Sequence, residues 1–222
     1  MKLVLGCSYT IKGKKQKSWH DVLFDEPYKV FAKAGVDNNW IARTGLHVIK
    51  DYDSVFVMFT GIDRISVAMP QDCIDKDYYY SFPIGYDTGS YGDVNLVQSG
   101  GPAGSWNDQY FGQARNVFKT VYNTDRKNYF SQLNMYHVVM FLNFLKAQHI
   151  PFKYTFIYDI TKTYHEQSLG KCTDYLNMLD RTHYIPVTPY EFALKNNGFQ
   201  KDGFHLTPEC QTAWALEVKK YL

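Results

Sequence analysis

Short and almost uninterrupted apolar segments recur along this chain, and segments long enough for helices separate them. The clearest apolar segments are residues 3–6, 54–59 and 152–158, and weaker ones lie at 28–32 and 183–187. Strands that are buried on both faces of a parallel sheet have this kind of sequence. The alternation therefore predicts an α/β fold in which helices cover both faces of a central parallel sheet of about five strands.

Five segments have the length expected of helices: residues 37–51, 127–148, 171–179, 189–196 and 208–222. The last has a clear start, because Thr207 is a good N-cap and Pro208 fits the first helical position. Residues 127–148 are apolar almost all round, which predicts a helix that is covered on both sides. A length of 222 residues suits one domain that spans residues 1–222.

Residues 72–125 are the least regular part of the sequence. They are rich in glycine and aromatic residues and show little periodicity. Loops of this length inside a compact domain are usually functional or disordered. We therefore expect an insertion or lid that contacts a sugar or a protein partner. The alternative is an elaborated loop that only covers the helix at 127–148.

Composition and charge exclude several classes of partner. A formal net charge of +2 gives no field that would attract nucleic acid or an anionic membrane. No apolar run approaches the roughly 18 residues of a membrane span. The apolar start of the chain is also too short for a secretory signal, so we expect a protein that is cytoplasmic when it is synthesised.

The cysteines and histidines do not have the spacing of metal ligands. The cysteines fit free thiols in a reducing compartment; they are Cys7, Cys73, Cys172 and Cys210. Four histidines are scattered along the chain: His137, His149, His165 and His183. We therefore expect neither a metal nor a cofactor.

Two short segments near the ends of the chain carry residues that could form a nucleophilic site. Ser8 follows the first predicted strand, and Asp202 and His205 lie just ahead of the last helix. Serine, histidine and aspartate together turn a weak hydroxyl into a nucleophile for acyl transfer. The alternatives are structural: Ser8 and Asp202 as turn residues, and His205 as a capping or core histidine.

The ends of the predicted strands provide further candidate residues. Ligands bind beyond the carboxyl ends of the strands in an open parallel sheet. Gly35 follows the second predicted strand and Gly61 follows the third, so their backbone N–H groups are candidate donors at this edge. Ser8 lies at the same edge, and the loop that carries His205 can return to it. The pattern predicts a nucleophile, a base and anion-binding donors in one place.

In order and approximate spacing, these segments resemble the motifs of the SGNH (GDSL-like) hydrolase superfamily. Residues 6–8 (Gly-Cys-Ser) correspond to the serine motif, with cysteine in the place of the usual aspartate, and residues 202–205 (Asp-Gly-Phe-His) correspond to D-x-x-H. The resemblance implies a flavodoxin-like, three-layer α/β/α sandwich. It also implies that Ser8 is the nucleophile, that His205 is the general base and that Asp202 orients the imidazole.

The two middle motifs of the family bind the oxyanion. Residues 35–43 resemble its G-x-S-N-x-x-I-x-R variant, which implies that the Gly35 N–H is a donor. The third motif departs from the family, because Asp63 stands two residues after Gly61 where an asparagine amide normally donates. A carboxylate only accepts hydrogen bonds, so we expect Asn38 to supply the side-chain donor instead.

By resemblance, the expected activity is hydrolysis of a carboxylic ester through an acyl-enzyme. Removal of O-acetyl groups from carbohydrate is common in the family, so the expected substrate is a small-molecule or carbohydrate ester. The alternative is a catalytically weak or inactive protein of the same fold that serves in binding or as a virion structural or assembly component. Relatives with a Gly-Cys-Ser opening occur among bacteriophage proteins, and Asp63 and the 72–125 stretch support this alternative.

Overall fold

The structure is a computed structural model that describes most of the chain. The described residues are 1–11, 18–32, 36–62, 66–70, 94–98, 127–160, 173–201, 203 and 205–222. In 66–70, 94–98, 127–130 and at 173 the description covers the backbone alone. Most of the predicted insertion at 72–125 therefore lies outside the described residues, and so do Gly35, Asp63 and Asp202.

Six strands and six α-helices are formed by the described residues. The strands are β1 (Lys2–Gly6), β2 (Tyr28–Ala32), β3 (Ser54–Phe59), β4 (Ser66–Pro70), β5 (Val94–Gln98) and β6 (Phe152–Phe156). The helices are α1 (Trp19–Leu23), α2 (Asn38–Val48), α3 (Lys127–Ala147), α4 (Thr173–Asn177), α5 (Pro189–Asn196) and α6 (Pro208–Lys219). A 3₁₀ turn, Ser8–Thr10, follows β1 directly.

The central sheet is parallel and has the strand order β2-β1-β3-β6. This order, with helices between the strands, confirms the predicted α/β fold with a central parallel sheet. Of the predicted strands, 28–32 and 54–59 have the bounds that the sequence indicated. Because β1 lies between two hydrogen-bonded neighbours, its carboxyl end is at the middle of the sheet edge.

The predicted fifth strand, 183–187, is reduced to a single bridge. Tyr184 pairs in parallel with Tyr154 of β6, and the Ile185 N–H donates to the Tyr154 carbonyl at 2.8 Å. The 3₁₀ turn Arg181–His183 precedes this bridge directly, and α5 begins at Pro189. Only a short extended link remains between them, so the prediction of a strand at 183–187 is wrong apart from the pair at Tyr184.

An antiparallel pair that the sequence analysis missed is formed by β4 and β5. Ser66 pairs with Gln98 at one end, and Pro70 pairs with Val94 at the other. Strand β5 lies inside the stretch predicted to be irregular, so that prediction is wrong for residues 94–98. A five-residue strand is too short to give a clear periodic signal among aromatic and glycine residues.

The two faces of the central sheet pack against different pairs of helices. On one face, Leu5 of β1 and Phe141 of α3 both approach Gly45 of α2, and α2 packs against α3. On the other face, Phe56 of β3 meets the Trp19 ring of α1 at 5.4 Å between ring centroids. Trp19 in turn meets Trp214 of α6 edge-on at 5.2 Å. Helices therefore cover both faces, as in a three-layer α/β/α sandwich.

Helix α3 is not covered on every side. Tyr136 is 43 % exposed and Met140 is 51 % exposed, so the prediction of a helix covered on both sides is wrong at these positions. The opposite side of the helix is buried, as Met135, Val138 and Leu142 show. Among the helices of the described residues, none is long and apolar enough to cross a membrane.

The substitution Gly45→Ala tests how closely α2 approaches the sheet and α3. A Cβ atom at residue 45 would lie 2.3 Å from Phe141 Cζ and 2.8 Å from Leu5 Cδ1. We expect the free energy of unfolding to fall by about 1–3 kcal/mol in urea denaturation, as in other overpacked cores. The shorter side chain in Gly45→Ala/Phe141→Leu should recover part of this loss, whereas strictly additive effects would contradict the close contact.

Candidate functional site

The 3₁₀ turn that carries Ser8 folds back over the end of β1. The Thr10 N–H donates to the Cys7 carbonyl at 2.9 Å, and the Ile11 N–H donates to the Ser8 carbonyl at 3.3 Å. A Cβ atom at residue 6 would lie 2.0 Å from Thr10 Oγ1. Only glycine lets the turn close in this way, so the glycine of the Gly-Cys-Ser segment is explained by the close approach of Thr10.

Two side chains of α1 bind the backbone of this turn. Trp19 Nε1 donates to the Tyr9 carbonyl at 2.8 Å, and His20 Nε2 lies 2.8 Å from the Thr10 carbonyl. Trp19 and His20 are both buried. The sequence analysis gave neither residue a role at the site. The sequence feature that indicates the start of a helix here is a capping box, Ser18-x-x-Asp21, followed by the apolar residues Val22 and Leu23.

The loop that carries His205 is also held through its backbone. The Gln200 N–H donates to the His205 carbonyl at 2.7 Å. The side-chain amides of Gln200 and Gln211 both donate to the Leu206 carbonyl, at 2.7 and 3.3 Å. Gly203 has a φ of +68°, a left-handed conformation that glycine adopts without strain. These contacts place the half-buried His205 just ahead of α6.

Ser8 and His205 line the same cavity, although almost the whole chain lies between them. The cavity has a volume of about 350 Å³ and lies beyond the end of β1. Its described lining residues are Ser8, Tyr9, Ile11, Ser18, Trp19, Met58, Pro189, Gln200, His205, Leu206, Gln211 and Trp214. None of these is Asp, Glu, Lys or Arg, and the Tyr9 ring lies 5.4 Å from the His205 ring between centroids. The described part of the wall is therefore aromatic, with uncharged polar groups.

Asn38 lies at the start of α2 and is fully buried. Its Oδ1 accepts from the Thr60 N–H at 2.8 Å, and its Nδ2 donates to the Thr60 carbonyl at 3.3 Å. The Asn38 N–H donates to Asn134 Oδ1 of α3 at 3.0 Å. Asn38 therefore fixes the loop after β3, where the buried Gly61 lies. Asp37 is the N-cap of α2 and accepts from the Trp40 N–H at 2.8 Å.

The expected site residues therefore have different positions in the structure. Ser8 and His205 line the same cavity. Asn38 and Gly61 lie at the end of the neighbouring strand β3: the Asn38 side chain is bonded to the Thr60 backbone, and Gly61 follows Thr60 in the chain. The roles predicted for Gly35, Asp63 and Asp202 fall on residues outside the described part of the chain and stay predictions.

The two described cysteines, Cys7 and Cys210, are buried free thiols. Burial raises the pKa of the Cys210 thiol. Cys7 is fully buried, and the neighbouring Ser8 is the residue that lines the cavity. Within the described ranges, no group of three His, Cys, Asp or Glu residues could hold a metal ion.

Comparison with known proteins gives a distant structural likeness. No protein-family model matches the chain, and no curated protein matches it. Among solved structures, the chain is similar to the lipase Lip_vut3 from a goat rumen metagenome, with a TM-score of 0.49 and 10 % sequence identity. The match covers 99 % of this chain and 96 % of the lipase chain. A likeness of this degree leaves the activity of this chain to be argued from its own residues.

The substitution Gly6→Ala tests whether the turn needs the space above β1. The added Cβ would lie 2.0 Å from Thr10 Oγ1 and 2.7 Å from Thr10 Cβ. We expect a loss of about 1–3 kcal/mol in the free energy of unfolding, measured by urea denaturation. The same substitution in a Thr10→Gly background should cost less, because the clashing atoms are gone. An equal cost in both backgrounds would show that the contact does not matter.

Proposed function

We propose that this protein is a carboxylic-ester hydrolase with Ser8 as the nucleophile and His205 as the general base. The observation that carries the proposal is that Ser8 and His205, which are distant in sequence, line one cavity at the carboxyl end of β1. This is the edge at which open parallel sheets bind ligands. The proposal agrees with the resemblance of residues 6–8 and 202–205 to the SGNH motifs.

In the proposed reaction, Ser8 Oγ attacks the ester carbonyl and His205 takes its proton. Collapse of the tetrahedral intermediate breaks the bond to the alcohol, which leaves with the proton from His205. A water molecule, activated by His205, then hydrolyses the acyl-enzyme and releases the acid. Asp202 is assigned the orienting role toward the imidazole, and the backbone N–H groups of Ser8 and Gly35 are assigned to the oxyanion.

The nature of the cavity supports an uncharged acyl group. Its described wall includes Tyr9, Met58 and Trp214 and contains no Asp, Glu, Lys or Arg, so this part of the wall favours an acyl group without a charge that would lose its hydration. Acetyl and other short acyl groups fit a cavity of about 350 Å³. O-Acetyl groups on carbohydrate are the specific substrate class that we propose.

A direct test is labelling with a fluorophosphonate probe, followed by mass spectrometry to locate the label. We expect the label on Ser8, because only an activated serine reacts at a useful rate. Ser8→Ala should remove both the label and the hydrolysis of p-nitrophenyl acetate. His205→Ala should lower both rates by several orders of magnitude, as for other groups that act as a unit.

Matched controls separate this outcome from general damage to the fold. Cys7→Ala removes the neighbouring buried thiol. His183→Gln changes a histidine whose Nδ1 lies 3.1 Å from the carbonyl of Phe152, at the amino end of β6. Both variants should keep the label on Ser8. A well-folded wild-type protein that shows neither labelling nor hydrolysis contradicts the esterase proposal.

One observation favours the alternative of a non-catalytic protein with this fold. Asn38, the expected side-chain donor to the oxyanion, is fully buried and hydrogen-bonded to the Thr60 backbone. An aromatic cavity without a side-chain oxyanion donor can bind a ligand without hydrolysing it. The corresponding proposal is a binding protein or a virion structural or assembly component, with residues 72–125 as the surface for a protein partner.

The substitution Asn38→Ala decides between the two roles of this residue. The Asn38 amide has two N–H groups, and the Thr60 carbonyl accepts from one of them. If the other binds the oxyanion, Asn38→Ala should lower kcat by about 10²–10³ with little change in KM. Loss of the bonds to Thr60 should also lower the free energy of unfolding by about 1–3 kcal/mol for each group left without a partner.

The matched control for this variant is Asn134→Ala. It removes the acceptor of the Asn38 N–H but leaves the Asn38 side chain in place, so it should lower stability and largely keep kcat. Equal kcat values in the two variants would show that Asn38 only holds the loop after β3.

A further inference from the structure

A chain of polar groups, half-buried at Tyr28 and Asp21 and buried at Ser18 and His20, connects β2 with the turn that carries Ser8. The Tyr28 hydroxyl donates to Asp21 Oδ1, and Asp21 Oδ2 accepts from the Ser18 hydroxyl at 2.9 Å. Ser18 Oγ lies 2.7 Å from His20 Nδ1, and His20 Nε2 lies 2.8 Å from the Thr10 carbonyl. His20 is fully buried and Ser18 is 4 % exposed.

The last contact of this chain fixes the hydrogen on Nε2 of the His20 ring. A carbonyl oxygen only accepts a hydrogen bond, so Nε2 must carry the hydrogen that it donates to Thr10. Ser18 holds the opposite nitrogen, and the Trp19 ring lies against the imidazole at 4.1 Å between centroids. The ring is therefore held on both edges and on one face, with its donor directed at the turn.

The side chains of Trp19 and His20 in α1 bond to the carbonyls of Tyr9 and Thr10, the two residues that directly follow Ser8. Within the turn, the Thr10 and Ile11 N–H groups bond to the Cys7 and Ser8 carbonyls. The bonds from Trp19 and His20 come from another element and therefore fix the orientation of the turn relative to the sheet and the cavity. A nucleophile that is displaced by about 1 Å can lose on the order of 100-fold in rate.

We propose that His20 is a positioning residue, which holds the turn of residues 8–10 so that Ser8 faces His205. The Tyr28–Asp21–Ser18 chain keeps the His20 ring in the donating orientation. This role rests on the proposed function for its effect on rate, but its effect on the turn is independent of any activity. It adds residues of α1 to the site, outside the motifs at residues 6–8 and 202–205.

The test compares His20→Leu, which has no donor, with His20→Gln, whose side-chain amide can donate to the Thr10 carbonyl. The matched control is His183→Leu. His183 Nδ1 also bonds to a carbonyl, that of Phe152 at 3.1 Å, but at the amino end of β6. Each variant is measured for kcat and KM on p-nitrophenyl acetate, for thermal stability, and for amide hydrogen exchange of the peptide that contains residues 8–11.

We expect His20→Leu to lower kcat on the order of 100-fold with KM nearly unchanged, because the turn is misplaced rather than the binding walls removed. Amide exchange at Thr10 and Ile11 should accelerate in the same variant. His20→Gln should recover a large part of both effects. His183→Leu should lower thermal stability less, because the His183 side chain is 34 % exposed, and it should leave kcat and exchange at residues 8–11 as in the wild type.

The outcomes distinguish this inference from the proposed function. If wild-type protein is not labelled at Ser8, the esterase proposal fails, and amide exchange alone then decides whether His20 holds the turn. Equal exchange at residues 8–11 in wild type and His20→Leu would overturn the inference. If His20→Leu does not fold, Ser18→Ala replaces it: faster exchange at Thr10 and Ile11 supports the role, and unchanged exchange overturns it.

Discussion

The position of β1 between β2 and β3 is the constraint on which the rest of the site depends. Both of its edges are paired, and its residues Leu3, Val4 and Leu5 are fully buried, so the end of the strand has little freedom. The chain then turns back over Gly6, with Thr10 in the space that any other side chain at residue 6 would occupy. The sheet therefore fixes the position of the chain just before Ser8, and the contacts from α1 fix the orientation of the short turn that follows.

The high content of aromatic residues has a structural explanation in the same region. Trp19 packs between Phe56 of the sheet and Trp214 of α6, while its indole N–H donates to the Tyr9 carbonyl. The Trp214 indole N–H likewise donates to the Val187 carbonyl at 2.9 Å. An indole ring fills the core with its apolar surface and satisfies a buried backbone group with its one donor. Each ring therefore links the core to a loop, one of them the turn at the cavity.

The sequence was sufficient to predict the parts that depend on long apolar patterns or on strong end signals. The strands at 28–32 and 54–59 and the start of α6 at Thr207 and Pro208 belong to this class. Helix α1 was missed because five residues give no helical periodicity, although its capping box was visible. The predicted fifth strand is limited to one bridge, because the 3₁₀ turn Arg181–His183 and the start of α5 leave only a short extended link between them. The strand-end rule placed Ser8 and the loop that carries His205 at one edge of the sheet, and both line one cavity. Their exact geometry could not be predicted, because it depends on how elements at opposite ends of the chain pack.

The loops of the candidate site share one principle of construction. The Tyr9 and Thr10 carbonyls accept from an indole and an imidazole, the Leu206 carbonyl accepts from two glutamine amides, and the Thr60 backbone is bonded on both sides by one asparagine amide. These are contacts between side chains and backbone groups in buried or half-buried surroundings, where salt screens them little and where breaking one leaves a backbone group without its partner. A site built in this way keeps its geometry without placing a charged side chain in the described cavity wall.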